Sequence, residues 1–252
     1  MGDAAWPYPR LLAHRGGGLL APENTLAALA AGHARGYRAV EFDAVLTADE
    51  VPVLLHDATL ERTTDGRGGV GERSLDALAG LDAGCWFDAR FAGERLPTLE
   101  QALQRCRELA LWPNVEIKPV PGREARTGAL VAAAVARFCA APAAPDAAPL
   151  LSSFAPEALA AARAVAPQLR RGLLFGRVPR NWQQGLQAVD AWSLHCDHRT
   201  LGADQARAVR AAGYGLMCYT VNEAERVLEL AGWGVQAFCT DRIDRIDPGL
   251  LG

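Results

Sequence analysis

Short apolar runs alternate with stretches of helical spacing along almost the whole chain, and this rhythm restricts the fold more than any single motif. Leu11–His14 reads as a first strand, and a helix follows at about Leu26–Arg35, where Leu26, Leu29, Ala30 and His33 recur at helical spacing. Asn24 or Thr25 can cap that helix, and Gly36 stops it. Ala39–Leu46 is the second strand, with Val51–His56 a continuation that pairs beside it. Further strands are expected at Asn114–Ile117, Leu150–Ser153, Gly172–Phe175, Ala191–His195, Gly215–Thr220 and Val235–Thr240. Helices should separate them at Thr98–Leu109, about Thr127–Ala140, Pro156–Ala166, Trp182–Ala188, Ala203–Ala212 and Glu223–Ala231. Thr98 and Gln101 have the spacing of a capping box, and an Ala/Pro loop separates Ala140 from Leu150.

Such alternation requires parallel strands joined by right-handed crossovers. Eight units in 252 residues fit an α/β chain of the (β/α)8 TIM-barrel class, with residues 1–252 as one domain. The competing open doubly wound sheet lacks its G-x-G-x-x-G loop after any early strand. The rhythm breaks once, between about residues 58 and 96. There Arg62-Thr-Thr-Asp-Gly-Arg-Gly-Gly is turn chemistry, and Trp86, Phe87 and Phe91 follow no period. A connection this long, with aromatics, reads as a small structured insertion after the second strand, either covering the mouth of the barrel or serving as a purely structural flap.

A formal net charge of −3 gives no reason to expect nucleic acid or an anionic membrane surface as partner. No secretory leader is visible, and Trp6 stands where a myristoylation signal would carry Ser or Thr. The most apolar region, Ala129 to Leu151, is broken by Arg137, Pro142, Pro145, Asp146 and Pro149, so no membrane anchor is expected. The six cysteines include no C-x-x-C pair and read as small buried hydrophobes, as in a reduced, cytoplasmic protein. Oligomeric state is not legible.

In a barrel of this class the loops at the strand C-termini build the active face. The polar residues expected there are His14, Arg15, Glu41, Asp43, His56, Glu116, Lys118, Ser152, Ser153, His195, Tyr219 to Asn222, and Thr240-Asp241. Glu41 and Asp43 are two apart on one strand, so both carboxylates share a face. With Glu116 they supply three hard oxygen donors, suited to Mg²⁺ first and to Ca²⁺ or Mn²⁺ as well. Arg15 and Lys118 add fixed positive charge beside that metal, the usual clamp for a phosphoryl group. His14 and His56, ending strands read as adjacent, can act as acid and base at neutral pH. His195 and Tyr219 are candidates for substrate contact; His198 ranks below His195, and the two serines read as hydrogen-bonding groups at the mouth. Asp57 and Asp241 read as loop-fixing residues. The parts together point to metal-assisted cleavage of a phosphodiester.

These residues, taken in order, resemble the glycerophosphodiester phosphodiesterase family. The matching pieces are His14-Arg-Gly with Pro22-Glu-Asn-Thr25, Glu41-Phe-Asp43, Leu54-Leu-His-Asp57 with Glu61-Arg-Thr-Thr, and Leu96-Pro-Thr-Leu. They continue with Glu116-Ile-Lys-Pro119, Leu151-Ser-Ser-Phe154, Tyr219-Thr-Val-Asn222 and Thr240-Asp241, over almost the whole chain. Its closest resemblance is to the cytosolic bacterial members associated with glycerol-3-phosphate uptake. The resemblance implies a TIM barrel that hydrolyses small glycerophosphodiesters, such as glycerophosphocholine or glycerophosphoethanolamine, to an alcohol and sn-glycerol 3-phosphate. It also implies His14 and His56 as the acid/base pair, Glu41, Asp43 and Glu116 as metal ligands, and Arg15 and Lys118 facing the phosphate. Tyr219 stands where many members carry Trp. The rival readings are a phospholipase D-like lipid phosphodiesterase on the same barrel, and a barrel that only binds glycerophosphodiesters.

Overall fold

A computed structural model describes residues 5–141 and 147–252. The chain opens with β1 (Leu11–Ala13), α1 (Leu26–Ala34), β2 (Ala39–Leu46) and β3 (Pro52–Leu54). After α2 (Leu75–Leu78) and α3 (Leu99–Glu108) the alternation is strict: β4 (Trp112–Ile117), α4 (Glu124–Ala140), β5 (Leu150–Ser153) and α5 (Pro156–Val165). It continues with β6 (Arg171–Phe175), α6 (Trp182–Ala188), β7 (Ser193–Asp197) and α7 (Ala203–Ala211), then β8 (Gly215–Tyr219), α8 (Ala224–Gly232) and β9 (Ala237–Thr240). Part of the expected Ala/Pro loop, residues 142–146, lies outside the described residues.

The strands pair in the order β1-β9-β8-β7-β6-β5-β4-β2, all parallel, and a β1–β2 pairing closes the ring. This is an eight-stranded (β/α)8 barrel. Helices and sheet meet in one large apolar layer that takes the outward side chains, among them Val40, Phe42 and Ala44 of β2. Inward residues such as Leu12, Trp112, Met217 and Cys239 form a smaller inner cluster. Every residue of β2 and β4 is buried, because helices cover one face and the barrel interior the other. Tyr8 stacks on Trp112 with ring centroids 4.0 Å apart, and Trp6 lies 5.1 Å from Trp192, so the N-terminal segment plugs the barrel end opposite the strand C-termini. No helix among the described residues is long and apolar enough to cross a membrane.

Local signals act as their chemistry requires. Thr25 rather than Asn24 caps α1, accepting from the Ala28 amide at 3.1 Å. Thr98 and Gln101 complete both halves of the capping box on α3.

β3 is an antiparallel appendage on β2, outside the barrel, with Leu54 opposite Ala44. β4 runs along the other edge of β2, so β1 and β3 both flank a single edge without pairing with each other. His14 and His56 therefore do not end adjacent strands, as the sequence suggested; they meet because β2 carries both neighbours. The segment that follows β3 packs on β2 and β3 through a third cluster, containing Val45, Val53, Leu55, Leu60, Val70 and Leu78. Its aromatics are not among the residues that line the cavities at the mouth. Trp86, Phe87 and Phe91 stack edge-on in a row, and the Trp86 indole donates to the Ala83 carbonyl at 2.9 Å.

The interior leaves little spare volume at mid-barrel. A Cβ on Gly172 of β6 would lie 2.4 Å from Nε2 of His195 on the neighbouring β7. Gly172→Ala is therefore expected to cost about 1–3 kcal/mol through overpacking. In a His195→Ala background the cost should shrink, and a double-mutant cycle in denaturant unfolding checks that coupling.

Candidate active site

The barrel's geometry brings acidic groups from two strands together at the mouth. Glu41 and Asp43 project inward from β2, and Glu116 sits beside Asp43 in the β2–β4 register. One carboxylate oxygen from each lies within 4.8 Å of the others, and all three residues are almost fully buried. Burial and the charge of Asp43 push Glu41 up to about 8 and Glu116 up to about 7. Asp43 behaves oppositely: burial disfavours its charge, but Lys118, His56 and Arg15 outweigh that and hold it below the usual range. Asn24 also grips Asp43 from both sides, donating to its carboxylate at 2.9 Å and accepting from its amide at 3.0 Å.

Oε1 of Glu41 is buried and has no hydrogen-bond partner. An orphaned oxygen of this kind is costly unless something positive meets it. Three crowded carboxylates, two of them with raised proton affinity, fit a hard divalent cation, which favours oxygen ligands. Glu41, Asp43 and Glu116 would hold it.

The cationic groups flank this cluster. Nζ of Lys118 lies 3.1 Å from Glu116 and 3.7 Å from Asp43, and this pairing outweighs burial and raises its affinity for the proton. Arg15 follows β1 with φ +51°, a left-handed backbone that costs a side-chain-bearing residue on the order of 1 kcal/mol. That turn aims its amide at Glu41, 3.1 Å away, and sets its guanidinium 2.7 Å from Glu23 and 3.8 Å from Asp43.

The two histidines have parallel settings. Nδ1 of His14 lies 2.6 Å from Asp241, and Nδ1 of His56 lies 2.6 Å from Asp57. Each carboxylate fixes its ring and leaves Nε2 for the cavity; in His14 that atom is 3.8 Å from Glu41. Burial lowers the pKa of both rings, but at His14 the bond to Asp241 and the charges of Glu41 and Asp241 reverse it, for a net rise. At His56 burial prevails, aided by Arg15 and Lys118. His14 thus leans toward holding a proton and His56 toward giving one up.

Beyond them the charges continue. Asp57 accepts twice from Arg62, Arg62 donates twice to Glu23, and Glu23 receives Arg15. The insertion after β3 thus reaches the site through an arginine and not through its aromatics. On the other side Asn222 donates to Asp241 at 3.2 Å.

A cavity of about 440 Å³ opens over these groups, and an adjoining one of about 300 Å³ shares His56, Glu116 and Lys118 with it. Tyr219 lines the larger cavity, its hydroxyl donating to the Phe175 carbonyl and its ring meeting Phe154 edge-on. His195 has a different place from the one expected. Its side chain is wholly buried, 2.9 Å from the Ser193 hydroxyl, and burial pushes it down to about 3. The cause is register: β7 runs from Ser193 to Asp197, two residues beyond the expected end, so the mouth falls at Asp197, His198 and Arg199. Ser152 and Ser153 are also fully buried, and the Ser153 hydroxyl donates to the Ile117 carbonyl.

Asp57 and Asp241, expected as loop-fixing residues, brace the two histidines, and Glu23 and Arg62 join the site without having been among its expected residues. His56-Asp57 adjacency was the available signal for the first; nothing local could link Asp241 to His14, 227 positions away.

Comparisons with known proteins identify relatives over almost the whole chain. A glycerophosphodiester phosphodiesterase of Caldanaerobacter subterraneus subsp. tengcongensis is 32% identical over 237 residues, covering 92% of this chain and 93% of its own. An Oleispira antarctica phosphodiesterase, solved with its product sn-glycerol-3-phosphate, superposes with TM-score 0.88 at 35% identity, over 95% of each chain. The crystal structure of the Agrobacterium tumefaciens glycerophosphodiester phosphodiesterase gives TM-score 0.74 at 28% identity, over 93% of this chain and 97% of that one. Residues 14–245 match the model of the glycerophosphoryl diester phosphodiesterase family, which brackets every strand of the barrel but β1. By this match and by these likenesses, the chain belongs to the glycerophosphoryl diester phosphodiesterase family.

Proposed function

We propose that the protein hydrolyses small glycerophosphodiesters, such as glycerophosphocholine or glycerophosphoethanolamine, to an alcohol and sn-glycerol 3-phosphate, with a divalent cation bound by Glu41, Asp43 and Glu116. One observation carries this reading: two histidines, each braced at Nδ1 by a carboxylate, flank a buried three-carboxylate cluster that Arg15 and Lys118 border. The product-bound relative from Oleispira antarctica supports the glycerol side of the assignment.

When bound, the cation supplies Lewis-acid stabilisation of the phosphoryl oxygens. Arg15 and Lys118 bind the phosphate and stabilise the charge that builds as the P–O bond breaks. His56, neutral at working pH, takes the proton of the attacking hydroxyl, and His14 gives one to the departing alcohol. Tyr219 and Phe154 border the space where an alcohol group would lie. The attacking group in this scheme is the substrate's own glycerol 2-hydroxyl, which proximity favours strongly over an outside water. Water then opens the cyclic phosphate with the two histidines in exchanged roles.

The metal assignment predicts a pH signature. Glu41 and Glu116 have folded-state values raised to about 8 and about 7, so they bind more protons folded than unfolded. Their contribution to stability is full below the unfolded value, about 4.5, and is lost as pH rises through about 7 to 8. With chelator present, the melting temperature should fall from about pH 6 to about pH 8.5, and saturating Mg²⁺ or Ca²⁺ should largely abolish that fall. Ion binding at neutral pH should release about one proton, read by calorimetry in buffers of different ionisation enthalpy. Asp43→Ala should weaken the ion's affinity and leave the fold intact.

The histidine roles predict that His14→Ala and His56→Ala each lower turnover about 10²–10⁴-fold while ion binding persists. In the native protein the acidic limb of the kcat/KM profile reports His56 and the alkaline limb His14. Asp241→Asn, removing the group that raises His14, should move the alkaline limb to lower pH.

A diester lacking the glycerol 2-hydroxyl should bind as a competitive inhibitor without being cut. Hydrolysis of that analogue at the normal rate would instead assign the attack to water, and glycerol-3-phosphate release assays decide between them.

A further inference from the structure

Cys239 takes no part in the chemistry above, yet it lines the same cavity. It sits on β9, where strand alternation sends Phe238 out to the helix layer and turns Cys239 inward, 1% exposed. One ligand atom each of His14, Glu41 and Cys239 fall within 4.8 Å of one another. Zinc gathers nitrogen, oxygen and sulfur ligands at about 2.0–2.3 Å, so a small inward movement of these three side chains suffices.

Two further observations point to a ligand here. His14 is bound at Nδ1 by Asp241, the setting that presents Nε2 to a metal in carboxylate–histidine–metal triads. Glu41, with a side chain only 5% exposed, has an oxygen without any partner. The donor set differs in kind from the neighbouring cluster. Three carboxylates select hard cations, whereas imidazole and thiolate select Zn²⁺ and softer ions.

We propose that His14, Glu41 and Cys239 form a second, soft-metal site sharing Glu41 with the three-carboxylate cluster, and that Zn²⁺ or Cd²⁺ bound there inhibits the enzyme. On binding, the Cys239 thiol loses its proton to solvent and its sulfur forms the metal bond; nothing is oxidised. Nε2 of His14 gives its lone pair to the ion and can no longer carry a proton. Glu41 serves both positions, so activating and inhibiting ions oppose each other.

The inhibitory effect rests on the diesterase reading, but the site does not, so a spectroscopic test separates the two. Titrating the intact protein with Co²⁺ should produce a sulfur-to-cobalt charge-transfer absorption in the near ultraviolet. The band should survive Cys85→Ser, which removes the exposed thiol, and disappear in Cys239→Ser. With saturating Mg²⁺ in the assay, Zn²⁺ should inhibit the wild-type enzyme, and its inhibition constant should rise at least about tenfold in Cys239→Ser. No band in the wild-type protein at saturating Co²⁺ overturns the site, as does a band or a Zn²⁺ sensitivity unchanged in Cys239→Ser. If the serine variant does not fold, ¹¹³Cd resonance of the wild-type protein decides. A shift in the range of a sulfur-bearing site supports the proposal, and one of purely oxygen coordination overturns it.

Discussion

Three carboxylates buried side by side on β2 and β4 repel one another, and much of the surrounding structure answers that repulsion. Glu41 and Asp43 share a face because they are two apart on a strand, and parallel register then sets Glu116 next to Asp43. Lys118, two residues beyond Glu116, returns over the cluster, while Arg15 is brought in by a strained turn after β1. The balance is incomplete. Glu41 and Glu116 keep raised proton affinities and an oxygen of Glu41 stays unpartnered, which leaves the cluster suited to a divalent ion.

Charge balance also spreads outward in an alternating series. From His56 it passes through Asp57, Arg62, Glu23 and Arg15 to Asp43, linking that histidine to the carboxylate cluster by way of the insertion. Arg62 is the insertion's contribution to the site, and it holds Asp57 strongly ionised through a two-point contact. Such a series fixes side-chain positions before substrate arrives, which is what phosphoryl transfer asks of its surroundings. The aromatics of the insertion serve its own packing, leaving Phe154 and Tyr219 as the aromatic edge of the cavity.

His14 stands where the two proposals meet. Asp241 fixes its ring through Nδ1, and the same bond leaves Nε2 beside Glu41. Cys239, within reach of the same ring and of Glu41, is the residue on which the proposed soft-metal site rests.

Period and spacing determined the fold class. Eight alternations in this length, continuous apolar strands and functional capping signals at Thr25 and Thr98 left little besides a barrel. They also fixed the carboxylate cluster, because a period of two along β2 and the rule that strand C-termini share one face are local and topological facts. What the sequence could not specify was strand register and long-range pairing. A shift of two residues in β7 put His195 inside the barrel and His198 at its mouth, since only neighbouring strands decide where a strand ends. Likewise β3 was expected to pair beside β2, as it does, but the sequence could not say that it lies outside the ring and does not neighbour β1, because the edge of β2 it occupies is set by β1 and β4. The partners of the two histidines divide the same way. Asp57 is adjacent in sequence, while Asp241 reaches His14 only because closing the ring brings β9 beside β1, a contact made by the whole barrel and by no shorter stretch of chain.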